Sequence, residues 1–488
     1  MALTRVGGAV KSDRIFNTVA AMVASKTVKV GDVVETAGYT TIADGGGARY
    51  EIVAAATGTD DGGSFIDLDT HQAKLIRDAD IVRASQFGCI DAADASTNIA
   101  NLVTYAKTLT RPHIKIDCDL TTASTLTFDV PDESTIEFTG AVSTTVSAAP
   151  AIQIGGDSLN VSRVKVTGIK VQRTSNDTAG SSIGVRLHSL VWCSVEVIES
   201  TGFVDGVLCD GIEGNGGFSY NSLYLGRIHD NVTNLRMTAS GAGGYCNDNN
   251  IYGGSFNHSS GYPAVNTTNY KIDHFATNRL NNNRLFGPSF EDNSTLAKAA
   301  DISGDNNVIY HPRFERSVSQ GTYEIEFTSN SSECAIIGKG FSVSKSNITD
   351  NGSNNHWQVR QGSQMSFQSA AIAGSTPVAS DDIGLAIEGT ASGSSCQLGV
   401  LNTSGALKFG VMGDGFVWSN QRVYAESGFR WSTSSGTADD RGLFAGSGSP
   451  EGSVTANPGS IYLNTAGGAS TTLYVKESGG GNTGWVAK

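Results

Sequence analysis

Six large apolar residues recur along the middle of the chain with the same surroundings: Ile169, Ile228, Phe256, Phe290, Phe314 and Phe341. Five residues before each anchor stands an aliphatic side chain: Val164, Leu223, Ile251, Leu285, Ile309 or Ile336. Four before it stands Lys165, Tyr224, Tyr252, Phe286, Tyr310 or Ile337. Asparagine opens several units, at Asn221, Asn249, Asn283 and Asn307. Successive anchors are 59, 28, 34, 24 and 27 residues apart, and the first gap fits two turns with a missing rung in CSVEVIES, residues 193–200. A period in this range, filled with strand-like segments and no helix, points to a solenoid. One coil cannot bury its own apolar residues. Coils stacked about 4.8 Å apart align equivalent positions into ladders and close a continuous core. The Leu-x-x-Leu-x-Leu pattern of a leucine-rich repeat is absent, so the expected fold is all-β, a parallel β-helix.

Strand adjacency gives this repeat a consequence. Neighbouring side chains point to opposite faces of a strand. If the −5 row lies inside, then Tyr224, Tyr252, Phe286, Tyr310 and Ile337 form an outward apolar ladder, too large a patch to leave in water. The alternative is a bend that takes both rows into the core.

Two segments read as helices. Ile15, Val19, Met22 and Val23 share one face after Ser12/Asp13. Ser96 caps a second helix with Ile99, Leu102, Val103 and Ala106 at helical spacing, and Arg111-Pro112 ends that segment. The second helix is expected to cap the open end of the solenoid core and so remove an aggregation-prone edge. Between them, VGDVVETAGYTTIADGGGARYEIV alternates apolar and polar residues around a turn at Asp44–Gly47. This glycine run lacks the Lys-Ser/Thr of a phosphate loop. The expected domains are 1–85 for attachment, 86–345 for the capped β-helix, 346–448 for an antiparallel β-domain and 449–488 for a small hairpin module around Gly467-Gly468. The stretch 446–452 reads as a linker.

A net charge of −13 opposes sequence-independent binding to nucleic acid and adsorption to anionic lipid. No stretch approaches the length of a membrane span, and the N-terminus lacks the apolar core of a signal peptide. Seven scattered cysteines without a CxxC read as buried thiols of a protein folded in a reducing cytosol rather than as disulfides or a zinc site. No metal or cofactor motif stands out.

Three stretches resemble the tailspikes and tail fibres of tailed bacteriophages that carry a pectate-lyase-like β-helix. VGDVVETAGYTTIADGGGARYEIV with DGGSFIDLDTHQAKLI is similar to their small N-terminal domain. Phe87-Gly88 leading into STNIANLVTYAKTLT resembles the opening of their β-helix, usually FGAKGDGxxDDTxAI. Here Cys89-Ile90-Asp91 replaces Ala-Lys-Gly, and no Asp-Asp-Thr precedes the helix. GSVTANPGSIYLNTAGGASTTLYVKESGGGNTGWVAK is similar to a C-terminal module of many phage tail proteins. The resemblance implies a right-handed β-helix and a homotrimer. It also implies attachment to other tail proteins through the N-terminus, location in the virion after synthesis in the host cytoplasm, and recognition of a capsule or lipopolysaccharide glycan. Some members of the group cut the glycan and others only bind it.

Glu291 and Glu315 each follow an anchor by one residue, which places them on successive coils about one ladder spacing apart. Carboxylates at that separation suit a retaining glycosidase, with one as nucleophile and one as acid/base. Asp292, Asp301 and Asp305 are candidates for a more distant catalytic partner. The same rungs carry His274, Arg279, Arg284, His311, Arg313 and Arg316, suited to acidic sugars or to pairing with those glutamates in a purely structural role. Tyr252 and its neighbouring tyrosines suit sugar rings. His258 and Trp192 read as structural. Four readings stay open: a phage receptor-binding protein that only binds glycan, one that also depolymerises it, a free polysaccharide lyase or hydrolase, and a purely structural shaft.

Overall fold

The computed structural model describes residues 14–77, 81–90, 92–156, 161–212, 217–240, 243–259, 267–273, 280–292, 297–316, 325–338 and 348–361. Beyond these it describes short strands between 364 and 431 and the whole of 441–488. Two compact units divide between Arg360 and Gln361.

Within the first unit the chain winds as a right-handed parallel β-helix. One sheet takes a strand from each coil from Ile81–Arg83 through Ser194–Thr201, Ser222–His229 and Asn250–Asn257 to His356–Gln361. A second sheet stacks nine strands from Leu126–Phe128 to Ile348–Asp350, and a short third sheet pairs Val161–Ser162, Leu190–Val191, Phe218–Ser219 and Cys246–Asn247. Neighbouring coils pair in parallel throughout these sheets. One hydrophobic core runs from Val82 to Trp357.

The register follows the repeat from Ile228 onward. Leu223, Ile251, Leu285, Ile309 and Ile336 align in one buried row. Ile228, Phe256, Phe290 and Phe314 align in another. The rings of Phe256, Phe290 and Phe314 stack inside at 5.7 and 5.2 Å. Phe341 lies outside the described residues. The missing rung is Ser194–Thr201, with Val195 opposite Leu223 and Ser200 opposite Ile228. In the coil before it, the expected positions are corrected. Val166 and Val171, not Val164 and Ile169, stand opposite Val195 and Ser200, because a bulge follows Val166 and Gly168 turns at φ +83. Ile169 still enters the core, in the row of Val197 and Leu225.

The asparagines that open the coils form an internal ladder. Nδ2 of Asn221, Asn249 and Asn283 donates to Oδ1 of Asn249, Asn283 and Asn307 at 3.0, 2.9 and 3.1 Å. The backbone N–H groups of the same three residues donate to the same oxygens. All four are buried, so the ladder satisfies polar groups that would otherwise be costly inside a core. Cys193 and Cys334 hold this position in flanking coils, where their N–H groups donate to Asn221 and Asn355. Burial pushes the Cys193 thiol up to about 11. The six cysteines with described side chains are free thiols, five of them buried and Cys118 half-buried.

The helix Ser96–Ala106 buries Ile99, Leu102, Val103 and Ala106 in the same core as Phe128. Its N-cap is Ala95 rather than Ser96, and Asp94 accepts the Ser96 N–H at 3.0 Å. The first expected helix is shorter than its apolar spacing suggests. Arg14–Phe16 is a strand with Ile15 exposed, and the helix is only Val19–Val23, capped by Thr18. Ser12 and Asp13 lie outside the described residues. Val33–Thr36 and Arg49–Ala54 pair antiparallel, as the alternation requires. The Asp44 carboxylate closes the loop between them by accepting from the N–H groups of Tyr39, Thr40, Thr41 and Gly46.

In the second unit, Gly384–Ala386, Cys396–Leu401, Leu407–Met412 and Val417–Ser419 form an antiparallel sheet. Ile461–Asn464 and Leu473–Lys476 form the expected hairpin, joined by Leu443–Gly446 and Trp485–Ala487 around a core of Tyr462, Tyr474 and Trp485. The stretch 446–452 is no loose linker. Gly446 ends a strand of this sheet, and Glu451 accepts from the N–H groups of Gly484 and Trp485 at 3.0 and 2.7 Å.

Candidate functional site

The outer face of the first sheet carries three side-chain columns set by the same register that builds the core. The first is aromatic: Tyr224, Tyr252, Phe286 and Tyr310, followed by Ile337. The rings stack one on the next at 5.2, 5.2 and 4.9 Å, with planes 17°, 14° and 6° apart. Tyr224 and Tyr252 are 46% and 38% exposed. The ladder therefore points outward although the strand does bend. Gly253 and Gly254 turn at φ +76 and +95, conformations that suit glycine, and in the next coils Gly287-Pro288 and His311-Pro312 interrupt the strand. The bend restores the anchor row to the inside after two residues and leaves the aromatic row outside.

The second column is Glu199, Arg227, Ser255, Ser289 and Arg313. The third begins Thr201, His229 and Asn257 and continues through Glu291 and Glu315. Glu291 and Glu315 are register partners on adjacent rungs. Arg313 lies between them: its Nη1 is 3.6 Å from Glu291 Oε1, and its Nη2 pairs with Glu315 Oε1. Ser289 Oγ also donates to Glu291 Oε1 at 2.6 Å. His311 is exposed in the turn before Arg313 with φ +50, and Arg284 lies half-buried beside Val308. The backbones of Asp292 and Arg316 pair in register. His274, Arg279 and the side chains of Asp292 and Arg316 lie outside the described residues. Asp301 and Asp305 are on the second sheet, away from this face. His258 is buried and donates Nε2 to the Asn231 carbonyl at 2.7 Å, a structural contact.

Three groups escaped the sequence reading. His229 joins Glu199 and Asp230 at 3.2 and 3.0 Å. Burial works against the Asp230 carboxylate, but the His229 contact and the Ser259 N–H outweigh it and hold Asp230 at about 2. On the second sheet Arg236 bridges Asp205 and Asp273 at 3.1 and 2.5 Å. Burial pushes Asp205 above the usual carboxylate range against the pull of Arg236. The register brings Glu199 to the neighbours His229 and Asp230, and Arg236 to Asp205 and Asp273, across separate coils. The third is the exposed pair Trp192 and Tyr220, at 56% and 54%.

The aromatic column is chemically distinct from a flat sugar platform. Each inner ring has both faces covered by its neighbours, so the column offers edges and phenol hydroxyls rather than open faces. The charged columns beside it offer donors and carboxylates at one-rung spacing.

No family model and no curated protein matches the chain. Among solved structures the fold is similar to the enzymatically active domain of tailspike protein 2 of bacteriophage CBA120, at 15% identity and a TM-score of 0.51, covering 73% of this chain. The chain spans about half the length of that protein, 54%. Tailspike protein gp49 of the Acinetobacter baumannii bacteriophage Fri1, a capsular polysaccharide depolymerase, aligns at 13% identity with a TM-score of 0.44, over 71% of this chain and 69% of its own. ORF18 of Geobacillus virus E2 aligns at 14% identity with a TM-score of 0.40, over 96% and 98%.

Proposed function

We propose that the protein is a phage tail receptor-binding protein that holds a bacterial surface polysaccharide on the outer face of the first sheet. One observation carries the reading: two charged columns stand side by side on one outer face, next to the aromatic column. Arg284, Arg313 and His311 meet sugar hydroxyls and carboxylates. The fold shared with the CBA120 tailspike domain supports the phage assignment. The aromatic column is the contact between copies of a homotrimer, because its ring faces are already used and its edges need cover. A cleft lined by Glu35, Arg49, Arg77 and Arg83 on the N-terminal side is the surface for other tail proteins.

A second reading, cleavage of the bound glycan, is favoured by the one-rung register of Glu291 and Glu315. Rung spacing near 4.8 Å matches the separation of about 5 Å used by retaining glycosidases. Incubation of the purified protein with capsule or lipopolysaccharide of the host tests both. Retention on the glycan with loss in an Arg313→Ala variant supports binding, and shortened chains support cleavage. Absence of any retention refutes the proposal.

A further inference from the structure

A row of left-handed residues runs along one corner of the β-helix, one per coil, just before the position of the asparagine ladder. Arg163, Trp192, Tyr220, Asp248, Asn282 and Asn306 take φ between +55 and +58. Their backbone N–H groups each donate to a carbonyl of the next coil, so the row is a repeated turn and not a set of accidents. Asn and Asp are the non-glycine residues that adopt this conformation with least strain, and bulky side chains are outliers there. Other coils also depart from this rule, with Arg111, Glu133 and Glu333 at the same turn, but two successive coils place a large aromatic ring there, Trp192 and Tyr220.

Folding does not account for them. Trp192 and Tyr220 remain more than half exposed and lie outside the core. They form one column instead. The Arg163 guanidinium sits 5.5 Å from the centre of the Trp192 ring, and Trp192 and Tyr220 stack at 6.0 Å with planes 26° apart. Trp192 is flanked by Arg163 and Tyr220, yet both rings are more exposed than Tyr224 and Tyr252 of the ladder on the first sheet. Guanidiniums gather at the Arg163 end of the column, while Asp248 follows Tyr220 at the other. Glu133 is shared between Arg111 and Arg163, two guanidiniums for one carboxylate.

Exposed aromatic rings suit the apolar side of a sugar ring, and a guanidinium beside them suits its carboxylate. We propose that Arg163, Trp192 and Tyr220 form a second glycan-binding position that selects an acidic sugar of the uronate or sialate class. It rests on the glycan reading of the chain but not on the face that carries Arg313.

The test uses the full chain and immobilised oligogalacturonate and oligosialate, each beside its carboxyl-reduced form. The key variants are Trp192→Asn and Tyr220→Asn, which install the residue found at this turn in other coils and so keep or raise the melting temperature. The expected result is binding of a carboxylated probe over its reduced form, weakened about tenfold by Trp192→Asn and also weakened by Arg163→Gln. Unchanged binding in Trp192→Asn overturns the proposal, as does equal binding of the reduced probes. If Arg313→Ala abolishes binding while Trp192→Asn does not, the sheet face is the site and this inference falls alone. The reverse pattern supports this inference and removes the sheet face. Failure of every oligosaccharide to bind overturns this inference and leaves the sheet-face reading to the host polysaccharide.

Discussion

Tyr252 and Phe286 stack on the outside of the β-helix at 5.2 Å with ring planes 14° apart, while Ile251 and Leu285, one residue earlier, pair in the core. One step along the strand separates a residue that holds the coil together from one that faces outward.

That contrast sets the first expectation. Phe290 is buried between Phe256 and Phe314, so Phe290→Ala should cost about 3–5 kcal/mol through lost burial and a cavity. Phe286→Ala, on the outer column, should cost an isolated chain about 1 kcal/mol. Urea unfolding of the two variants, followed by circular dichroism below the assembly concentration, checks the order. A larger loss for Phe286 would mean that the outer column is buried within one chain.

Assembly gives the second. If the aromatic column joins copies of the chain, the Tyr252→Ser/Tyr310→Ser double variant should shift the mass measured by light scattering at micromolar concentration from trimer toward monomer, with its β-sheet spectrum kept. A trimer of unchanged stability would assign the column another partner.

Acid sensitivity gives the third. The Asp230 carboxyl sits at about 2 in the folded chain, below the unfolded value near 3.9. A depressed acid contributes stability that is fully present above the unfolded value and is lost as pH falls through the folded one. Asp230→Asn, tolerated at φ +52, should lower the urea midpoint at pH 7 and flatten its fall between about pH 4 and pH 2. Parallel curves for variant and wild type would remove Asp230 from the acid response.

Much of this architecture was legible because large side chains mark it. The rows from Leu223 to Ile336 and from Ile228 to Phe314 repeat in sequence as they repeat in space. The coil at Lys165–Arg173 misled because a bulge at Gly168 moves the register without changing the apolar spacing around Val164 and Ile169. The second sheet left no signature, since its inner row mixes Val207, Leu235, Tyr270 and Ala300. The neighbouring rungs of Glu291 and Glu315 could be read from their anchors. The place of Arg313 between them depends on a side-chain path that no spacing encodes. Trp192 read as structural, and its 56% exposure in a left-handed turn is a property that no sequence spacing encodes.

The bridging arginine shapes the last expectation. Glu291 and Glu315 occupy register-paired positions, and Arg313 contacts both. If the pair cleaves glycan, Glu291→Gln and Glu315→Gln should each abolish chain shortening while binding and melting temperature stay nearly unchanged, since the sites are at the surface and glutamine keeps the shape. Arg313→Gln separates the alternatives. A structural triad loses stability when its centre is removed, by at most about 1 kcal/mol for exposed pairs, and shows no effect on any product. A catalytic pair left without its guanidinium has two like charges one rung apart, which disfavours both being ionised together. Its cleavage rate should then change its pH dependence rather than simply fall. Size-exclusion profiles of host polysaccharide, collected from pH 5 to pH 8 with wild type and the three variants, decide. Normal cleavage by both glutamine variants would leave Glu291 and Glu315 as partners of Arg313 and nothing more.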